Sequence, residues 1–554
     1  MTPRRRKHWG WGHEDDQPPA AELAQTAAFL SEHLGFGSRT PEPFVALTEV
    51  ALPAPRLTAP PALAEICTAD AHERARHTYG SSYRDVVRGF RGQFEHPPDV
   101  VAIPRDERQL AEVLDWALGA GAAVIPYGGG TSVVGGVEPD VGDGFPGVVT
   151  IDLRRLNRVL EVDPVSLAAR IQAGATGPEL EEQLRAHDLT LRHFPQSFEF
   201  ATLGGMIATR AGGHFATVYT HIDDLVESVR ALTPAGVWES RRLPGSGAGV
   251  SPDRMLIGSE GTLGIITEAW VRVRPRPRYR ASAGVRFPDF SAGAAAVRAL
   301  SQSGLYPANC RLIDPAEARL TGGGDGSHAL LVLGFESPAL DMDGRLAEAL
   351  TCCGDHGGRS DEPALSPARS PGRESRPESG PESGPESGRE SGRDPVGTWR
   401  DAFVRAPYLR DTLVAMGVLS ETFETAVTWD RFPELHRTVL ERTGAAVHDV
   451  CGAGTVTCRF THVYPDGPAP YYTVLAPARR GAELEQWAAI KRAAADAVLA
   501  AGGTITHHHA VGRDHRPWYD RQRPEPFAVA MRAAKAALDP RGALNPGVLF
   551  DGAR

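Results

Sequence analysis

The predicted strand Ala123-Val124-Ile125 is followed directly by the seven residues Pro126-Tyr127-Gly128-Gly129-Gly130-Thr131-Ser132, and then by Val133-Val134-Gly135-Gly136. Successive glycines let backbone N–H groups approach an anion closely, and the two hydroxyls add donors. The stretch suits a pyrophosphate, and taken alone it also fits a plain tight turn. This stretch is neither a GxGxxG nor a GxxxxGK[ST] motif, so it does not support a Rossmann site or a Walker loop.

Two later segments share this small, polar character, namely ATLGGMIATRAGG at 201–213 and GSEGTLGII at 258–266. Each alone fits an ordinary loop. Because all three lie among short predicted strands, together they predict the walls of an extended dinucleotide groove that meets its ligand through backbone N–H groups.

The surrounding chain alternates short β-rich runs with helical segments, which indicates an α+β or α/β fold. Asp106 and Gln109 form a predicted capping box ahead of an apolar helical face. We predict five regions: an irregular N-terminal layer at 1–94 with a helix near Ala20–Leu34; a first domain at 95–277; a second domain at 278–500 with strands at His328–Phe335 and Arg459–Val463; a disordered PESG-rich insertion at 357–396; and a C-terminal segment at 501–554 with a helix near Phe527–Leu538.

Composition excludes several classes of protein. The 554 residues carry a formal net charge of −10, which disfavours a nucleic-acid binder. The six cysteines have no regular spacing, so we expect a reducing, cytoplasmic location without disulfides. No apolar run is long enough to span a bilayer. The basic run Arg4-Arg5-Arg6-Lys7 is expected to be a solvated tail.

The segments PYGGGTSVVGG, FEFATLGGMIATRAGG and IGSEGTLGIITEAWVRVRP resemble, in order and spacing, the vanillyl-alcohol oxidase or PCMH-type flavoproteins. The resemblance implies a two-subdomain FAD-binding domain at 95–277 and an antiparallel-sheet cap that binds substrate. Since Tyr127 and three glycines occupy the loop where such proteins can carry a flavin-linked histidine, we expect noncovalent FAD.

The same resemblance assigns the FAD contacts to three groups. Residues 126–132 would hold the pyrophosphate, 196–202 with 209–212 would line the isoalloxazine and ribityl part, and 260–266 would complete the adenine side. The last two groups comprise Gln196, Ser197, Phe198, Glu199, Phe200, Ala201, Thr202, Thr209, Arg210, Ala211, Gly212, Glu260, Gly261, Thr262, Leu263, Gly264, Ile265 and Ile266.

Further segments look like alkylglycerone-phosphate synthases, which replace the acyl chain of acyl-dihydroxyacetone phosphate with a fatty alcohol. They are WGWG at 9–12, RLID at 311–314, RD at 410–411, SETFET at 420–425, WDR at 429–431, THVY at 461–464 and THHHAVG at 506–512. This likeness implies that Tyr471 transfers protons, Arg410 binds the substrate phosphate and Thr422 lines the substrate site. It also implies that Arg311 supports the site and that His507, His508 and His509 are essential.

In this family the reduced flavin acts as a nucleophile through N5, with no net redox change. Three positions depart from the synthase pattern. Gln196 replaces an Asp, Ala415 replaces a Glu and Thr422 replaces a Ser. The expected partners are a phosphorylated, lipid-like substrate and a fatty alcohol, with peripheral membrane contact and a homodimer as further expectations.

Other interpretations stay open for these residues. On a strand, His507 and His509 would share one face and His508 the other. A metal site at His507, His509 and His515 lacks a carboxylate or Cys at fitting spacing, so we predict no metal. Tyr471 alone fits a strand aromatic, and Arg311 and Arg410 fit surface ion pairs. The alternative activity is that of an FAD-dependent 2-hydroxy-acid dehydrogenase or oxidase of the D-lactate or glycolate type, and a flavin-fold protein without catalysis is a third reading.

Overall fold

The computed structural model describes residues 4–215, 217, 219–360 and 407–550. These residues form mixed sheets and helices around two large hydrophobic cores, and the predicted α+β class is confirmed. Of the predicted insertion at 357–396, the structure describes residues 357–360, which end a turn and form a short strand. Residues 361–396 lie outside the described residues.

The N-terminal layer contains three helices joined by irregular chain: α1 (Ala20–Leu34), α2 (Ala71–Arg76) and α3 (Tyr83–Phe90). The first has the predicted bounds. Tyr83 and Phe90 of α3 and the nearby Trp9 are buried in the same core as the second domain. The N-terminal layer therefore packs against the cap rather than standing apart from it.

The basic run near the N-terminus differs from the expected solvated tail. Arg4 and Arg5 are exposed, but the Lys7 ammonium lies 3.3 Å from the buried carboxylate of Asp411. The Arg6 guanidinium lies 3.6 Å from the ring centroid of Phe200. A buried carboxylate requires a counter-charge, and an aromatic face attracts a cation. Arg6 and Lys7 therefore pack against the folded protein, whereas Arg4 and Arg5 are exposed.

The first domain consists of two sheets that share one core. The four-stranded sheet has the order β1-β2-β4-β3, and the five-stranded antiparallel sheet has the order β5-β6-β10-β8-β9. The bounds are β1 Cys67–Thr68, β2 Val100–Ala102, α4 Glu107–Gly119, β3 Ala123–Tyr127, β4 Val148–Asp152, β5 Val159–Asp163, β6 Ala168–Gln172, α5 Gly177–Arg185, β7 Leu189–Thr190, α6 Leu203–Thr209, β8 Val226–Thr233, β9 Gly236–Glu239, α7 Pro252–Leu256, β10 Ile265–Arg272 and β11 Arg274–Pro275, the last pairing with β7.

Helix α4 begins where the sequence predicts, because the Asp106 carboxylate accepts from the Gln109 backbone N–H at 2.8 Å. The second half of the predicted capping box is absent, since the Gln109 side chain instead accepts from Arg105 N–H. The apolar face of α4 is buried and leads into β3, which ends at the first glycine-rich loop.

The second domain is built on one antiparallel sheet with the order β15-β12-β14-β13-β17-β18-β16. Its elements are β12 Tyr279–Phe287, α8 Phe290–Gln302, β13 Asn309–Ile313, α9 Pro315–Leu320, β14 Ala329–Ser337, α10 Asp343–Asp355, β15 Arg359–Ser360, the helical residues 407–415 (α11), β16 Val418–Glu424, α12 Phe432–Cys451, β17 Thr455–Val463, β18 Pro468–Pro477 and α13 Glu483–Ala500. The predicted strands within β14 and β17 are confirmed.

Alternation along three neighbouring strands divides this sheet into two faces. Phe423, Cys458 and Tyr472 belong to the buried core with α8, α10, α12 and α13. Their neighbours Glu424, Arg459 and Tyr471 point to the other face. One face is therefore apolar and covered by helices, whereas the opposite face carries ionisable groups.

The C-terminal segment returns to the first domain. After α14 (Arg516–Gln522) and α15 (Glu525–Leu538), Leu544 forms a parallel bridge with Val124 of β3. The Asn545 side chain donates to the backbone oxygens of Gly136 and Glu260 at 3.0 and 2.7 Å, so it joins two glycine-rich loops. In the part of the chain that the structure describes, no helix is both long and apolar enough to cross a bilayer.

Candidate active site

The three glycine-rich loops meet through their backbones. A Cβ on Gly129 would lie 1.8 Å from the backbone oxygen of Phe200, and one on Gly128 would lie 2.3 Å from Thr202 Oγ1. Gly261, with φ of +74°, faces the Pro126 ring in the same way. These approaches leave no room for side chains, so the loops join at the groove that the sequence predicts.

This groove fits FAD by the chemistry of its walls. The Ser81 hydroxyl donates to Gly130 O and the Ser81 N–H donates to Ser132 O, which holds the first loop open with its own N–H groups available. Among the described residues, two buried polar atoms beside the loops, Ser259 Oγ and Asn545 Oδ1, have no hydrogen-bond partner. Backbone donors and unsatisfied polar atoms along a concave wall suit a dinucleotide.

The remaining predicted cofactor residues lie around the same groove. Residues 196–200 form a turn that ends at the Thr202 cap of α6, and Thr209 is the last residue of that helix. Gly212 pairs with His221 in a bridge and would meet the His508 Cβ at 3.2 Å if it carried a side chain. The second loop therefore reaches both the flavin groove and the histidine segment.

The third loop is tied to the histidine segment by a buried carboxylate. Glu260 accepts from the backbone N–H groups of Val511 and Gly512 at 2.9 and 2.8 Å. Burial raises the pKa of Glu260 to about 7, and the two N–H donors oppose that shift. Leu263, Ile265 and Ile266 of this loop and of β10 are buried in the core and act as support.

Tyr471 lies on the ionisable face of the cap sheet between two charged neighbours. In the strand register it is opposite Glu424 on β16 and Arg459 on β17. The Arg459 guanidinium lies 4.0 Å from the Tyr471 ring centroid and donates to Glu317 at 2.6 Å. Arg311 shares this face, because β13 pairs with β17 through Ile313 and Arg459.

Arg311 is a buried cation, only 2% exposed, and donates to His214 O at 3.1 Å. Burial, and after it the charge of Arg459, lower the pKa of Arg311 to about 9. Two guanidinium groups that repel each other in a buried site are stabilised by an anion. This face is suited to a negatively charged substrate.

The triple histidine is not on a strand, so the strand alternation considered for it is wrong. Residues 506–509 form bends that wrap around the Glu424 carboxylate. Glu424 accepts from the backbone N–H groups of all three histidines, at 2.6, 3.1 and 2.9 Å, and from the Thr506 hydroxyl at 2.7 Å. A fully buried carboxylate thus organises the segment, and the three histidines come to the same side.

The rings of these histidines lie beside Tyr471. Ring centroids are 6.2 Å apart for Tyr471 and His508 and 5.4 Å apart for Tyr471 and His509. Burial lowers the pKa of His508 and of His509 to about 3, and it lowers the pKa of His507 well below the usual value. All three are neutral imidazoles near pH 7, so each has one N–H and one lone pair.

The structure places the two predicted substrate residues at different distances from this centre. The Arg410 guanidinium donates to Ser81 O at 2.8 Å, and Ser81 in turn holds the first flavin loop. Arg410 Nε is buried and has no partner among the described residues, and the charge of Arg410 contributes to the low pKa of His509. Thr422 lies on the ionisable face, two residues before Glu424 and opposite Thr473.

Sequence reasoning gave no role to four residues that the structure places at the site: Glu424, Arg459, His221 and His462. Glu424 and His462 lie within the quoted SETFET and THVY segments. A signal was available for Arg459, because it is the one Arg, Lys, Asp or Glu in the strand Thr455–Val463.

His462, His507 and His508 have ring nitrogens within 4.8 Å of one another, which differs from the metal set considered from the sequence. However, His462 Nε2 donates to Gly213 O at 2.7 Å, and the facing nitrogens of His507 and His508 are 3.0 Å apart. We assign hydrogen bonds to these rings.

Comparison with known proteins gives the family. A model of an FAD binding domain matches residues 98–240, and a model of the C-terminal domain of FAD linked oxidases matches residues 276–549. The alkyldihydroxyacetonephosphate synthase of Trypanosoma brucei brucei is 30% identical over 515 residues, covering 87% of this chain and 78% of that protein. This chain belongs to the alkyldihydroxyacetonephosphate synthase family.

The family is also called the alkylglycerone-phosphate synthases. A solved structure of an alkyldihydroxyacetonephosphate synthase is similar to this chain along nearly its whole length, which supports the assignment. That structure is 25% identical, covers 98% of both chains and superposes with a TM-score of 0.77. A glycolate oxidase subunit of Bacillus subtilis is more distant, at 25% identity over 469 residues, covering 83% of this chain and 90% of that protein. The protein is an FAD-linked enzyme closer to the synthases than to the hydroxy-acid oxidases.

Proposed function

We propose that this protein exchanges the acyl group of an acyl-dihydroxyacetone phosphate for a fatty alcohol. The observation that carries the proposal is the sheet face on which Tyr471, Arg311 and Arg459 meet the triple histidine beside the FAD loops. The relatives named as alkyldihydroxyacetonephosphate synthases support it.

FAD would be held without a covalent bond by residues 126–132, 196–202 with 209–212, and 260–266. When bound in its reduced form, it supplies a nucleophile for the substrate carbon that bears the acyl group. The protein's own residues bind the phosphate, orient that carbon and move protons.

Tyr471 is the proposed acid and base. The Arg459 guanidinium lies 4.0 Å from the Tyr471 ring centroid, so a positive charge faces the ring that carries the phenol group. The ring centroids of the neutral imidazoles of His508 and His509 lie 6.2 and 5.4 Å from that of Tyr471, so these rings offer a partner for the proton. Proton removal from the substrate and proton delivery to a leaving group are thus served by one cluster.

Arg410 is the proposed phosphate ligand. Its guanidinium is anchored to the backbone at Ser81 by Nη1, and its buried Nε remains available within the described structure. A forked, permanently charged group is well matched to a phosphate. Because Ser81 also holds the first FAD loop, the arrangement fixes the distance between phosphate and cofactor.

The direct experiment is anaerobic mixing of the protein, after its FAD has been reduced with dithionite, with palmitoyl-dihydroxyacetone phosphate and hexadecanol, and separately of the oxidised, yellow protein with D-lactate. We expect alkyl-dihydroxyacetone phosphate and palmitate from the first mixture, detected by mass spectrometry. Bleaching of the flavin absorbance by D-lactate, with pyruvate formed and no ether lipid, would instead establish a hydroxy-acid dehydrogenase.

A fatty alcohol as the second substrate is part of this proposal. Ala415 and Gln196 stand where the synthases carry a Glu and an Asp, and the loss of two carboxylates alters the charge around the site, so substrate identity is the property most open to change. Peripheral membrane contact, a homodimer and a cytoplasmic location stay predictions.

A further inference from the structure

The geometry points to a positioning role for His221, which acts through His507 to fix which nitrogen of His508 carries the proton. In this arrangement His508 is protonated on Nδ1 and keeps the lone pair on Nε2 as a base. The inference rests on the proposed function for its chemical use, but the proton positions follow from contacts alone.

His221 is the first of three hydrogen-bonded histidine rings, and His507 and His508 follow it. Its Nδ1 lies 3.2 Å from the backbone oxygen of Arg210 and 3.8 Å from a carboxylate oxygen of Asp223. Both neighbours can only accept a hydrogen bond, so Nδ1 carries the proton. Burial lowers the pKa of His221, so the ring is neutral and its Nε2 has the lone pair.

His507 takes its arrangement from His221. The two Nε2 atoms are 3.0 Å apart, and since His221 accepts, His507 must donate from Nε2. A neutral ring has one N–H, which leaves His507 Nδ1 as an acceptor. That Nδ1 lies 3.0 Å from His508 Nδ1.

His508 must therefore donate from Nδ1. A second contact favours the same result, because His508 Nδ1 is also 3.7 Å from a carboxylate oxygen of Glu424. A lone pair there would face the carboxylate and be repelled by it. Acceptors at both ends of the chain, the Arg210 carbonyl with Asp223 and the Glu424 carboxylate, select one set of proton positions.

The reversed set of protons is disfavoured at two places. It would aim the His221 Nδ1 lone pair at the Arg210 oxygen and the His508 Nδ1 lone pair at Glu424. The Tyr464 hydroxyl, 2.8 Å from His507 Nε2 and 2.9 Å from Thr220 Oγ1, does not distinguish the two sets, because a hydroxyl can either donate or accept. In the favoured set the His507 Nε2 proton is shared between His221 Nε2 and the Tyr464 oxygen.

These proton positions determine which nitrogen of the neutral His508 ring can accept a proton in the active site. His508 lies next to Tyr471, and its usefulness as a proton acceptor depends on which nitrogen is bare. His221 acts on this property through His507, whose Nε2 lies 3.0 Å from His221 Nε2.

The test uses FAD-loaded protein labelled with ¹⁵N-histidine, in which two-bond ¹H–¹⁵N spectra distinguish protonated from bare ring nitrogens. The His508 signals are assigned by their loss in His508→Gln. We expect a bare Nε2 in the wild type and in Tyr464→Phe, and a mixture of both forms in His221→Leu. His221→Gln, whose amide oxygen can still accept from His507, should restore the wild-type pattern.

Activity gives the second readout. His221→Leu should lower kcat by about 10-fold, a part of the roughly 10²- to 10⁴-fold that a positioned acid or base supplies, with KM changed by less than about twofold. A protonated Nε2 in wild-type His508, or an unchanged spectrum in His221→Leu, would overturn the inference. The spectra need no substrate, so failure of acyl exchange would count against the proposed function and not against the proton positions.

Discussion

The FAD cradle and the ionisable face of the cap sheet are built by different means. The cradle consists of backbone atoms from three glycine-rich loops, with glycines at 128, 129 and 261 where side chains would collide. The ionisable face consists of side chains from β13, β16, β17 and β18, together with a bend at 506–509. A binding site made of backbone atoms can be recognised from short sequence motifs, whereas a site made of side chains on several strands depends on how those strands pair.

The cradle should fail completely when its close approach is blocked. Gly129→Ala would put a Cβ 1.8 Å from the Phe200 backbone oxygen, which cannot move away without shifting the second loop. We expect protein without flavin, measured as loss of the absorbance near 450 nm. In Gly344→Ala, where a Cβ meets nothing within 4 Å, flavin content should be unchanged. Full flavin loading of the Gly129 variant would contradict the described loop contact.

The ionisable face should lose activity while keeping its flavin. Tyr471→Phe removes the proposed acid and base, and kcat should fall by roughly 10²- to 10⁴-fold. The neighbouring Tyr472 points into the apolar core, so Tyr472→Phe should leave kcat within about twofold and change only stability. If both variants retained wild-type kcat, Tyr471 would be a structural aromatic.

The support beneath the histidines can be weakened without touching any ring. Glu424→Gln turns one acceptor oxygen into a donor that faces backbone N–H groups, so unfolding free energy should fall by about 2 kcal/mol and kcat should fall with it. Urea unfolding and steady-state kinetics measure the two effects. Asp496→Asn, which also changes a carboxylate that accepts two hydrogen bonds, should affect stability alone.

The link between the two regions predicts a milder dependence on pH. The pKa of Glu260 is raised to about 7, so the folded protein holds a proton that the unfolded chain releases above about pH 4.5. This stabilisation is fully present below pH 4.5 and is lost as pH rises through 7. Thermal unfolding between pH 5 and 8 should show this fall in the wild type and a flatter profile in Glu260→Gln. An equal slope in both proteins would assign it to other groups.

Much of the cradle could be predicted from the sequence, because glycine spacing records where chains approach closely. The roles of Tyr471 and Arg410 came from resemblance, since a tyrosine in a strand has no local mark of catalysis. Glu424 and Arg459 were missed because they act only once β16, β18 and β17 pair in register. The strand alternation considered for the histidines was wrong for a related reason, since Glu424 bends that segment.

The basic run at the N-terminus also has contacts that could not be predicted from the local sequence. Arg6 and Lys7 looked like a solvated tail because short basic runs usually are one. Their partners, Phe200 and Asp411, lie about 200 and 400 residues away, and only the folded chain brings them together.

The most direct test of the central claim is release of palmitate from palmitoyl-dihydroxyacetone phosphate by the FAD-reduced protein before any alcohol is added. We predict about one palmitate per active site in the wild type, alkyl product once hexadecanol follows, and neither product in Tyr471→Phe. No palmitate from the wild type, together with oxidation of D-lactate to pyruvate, would contradict the account.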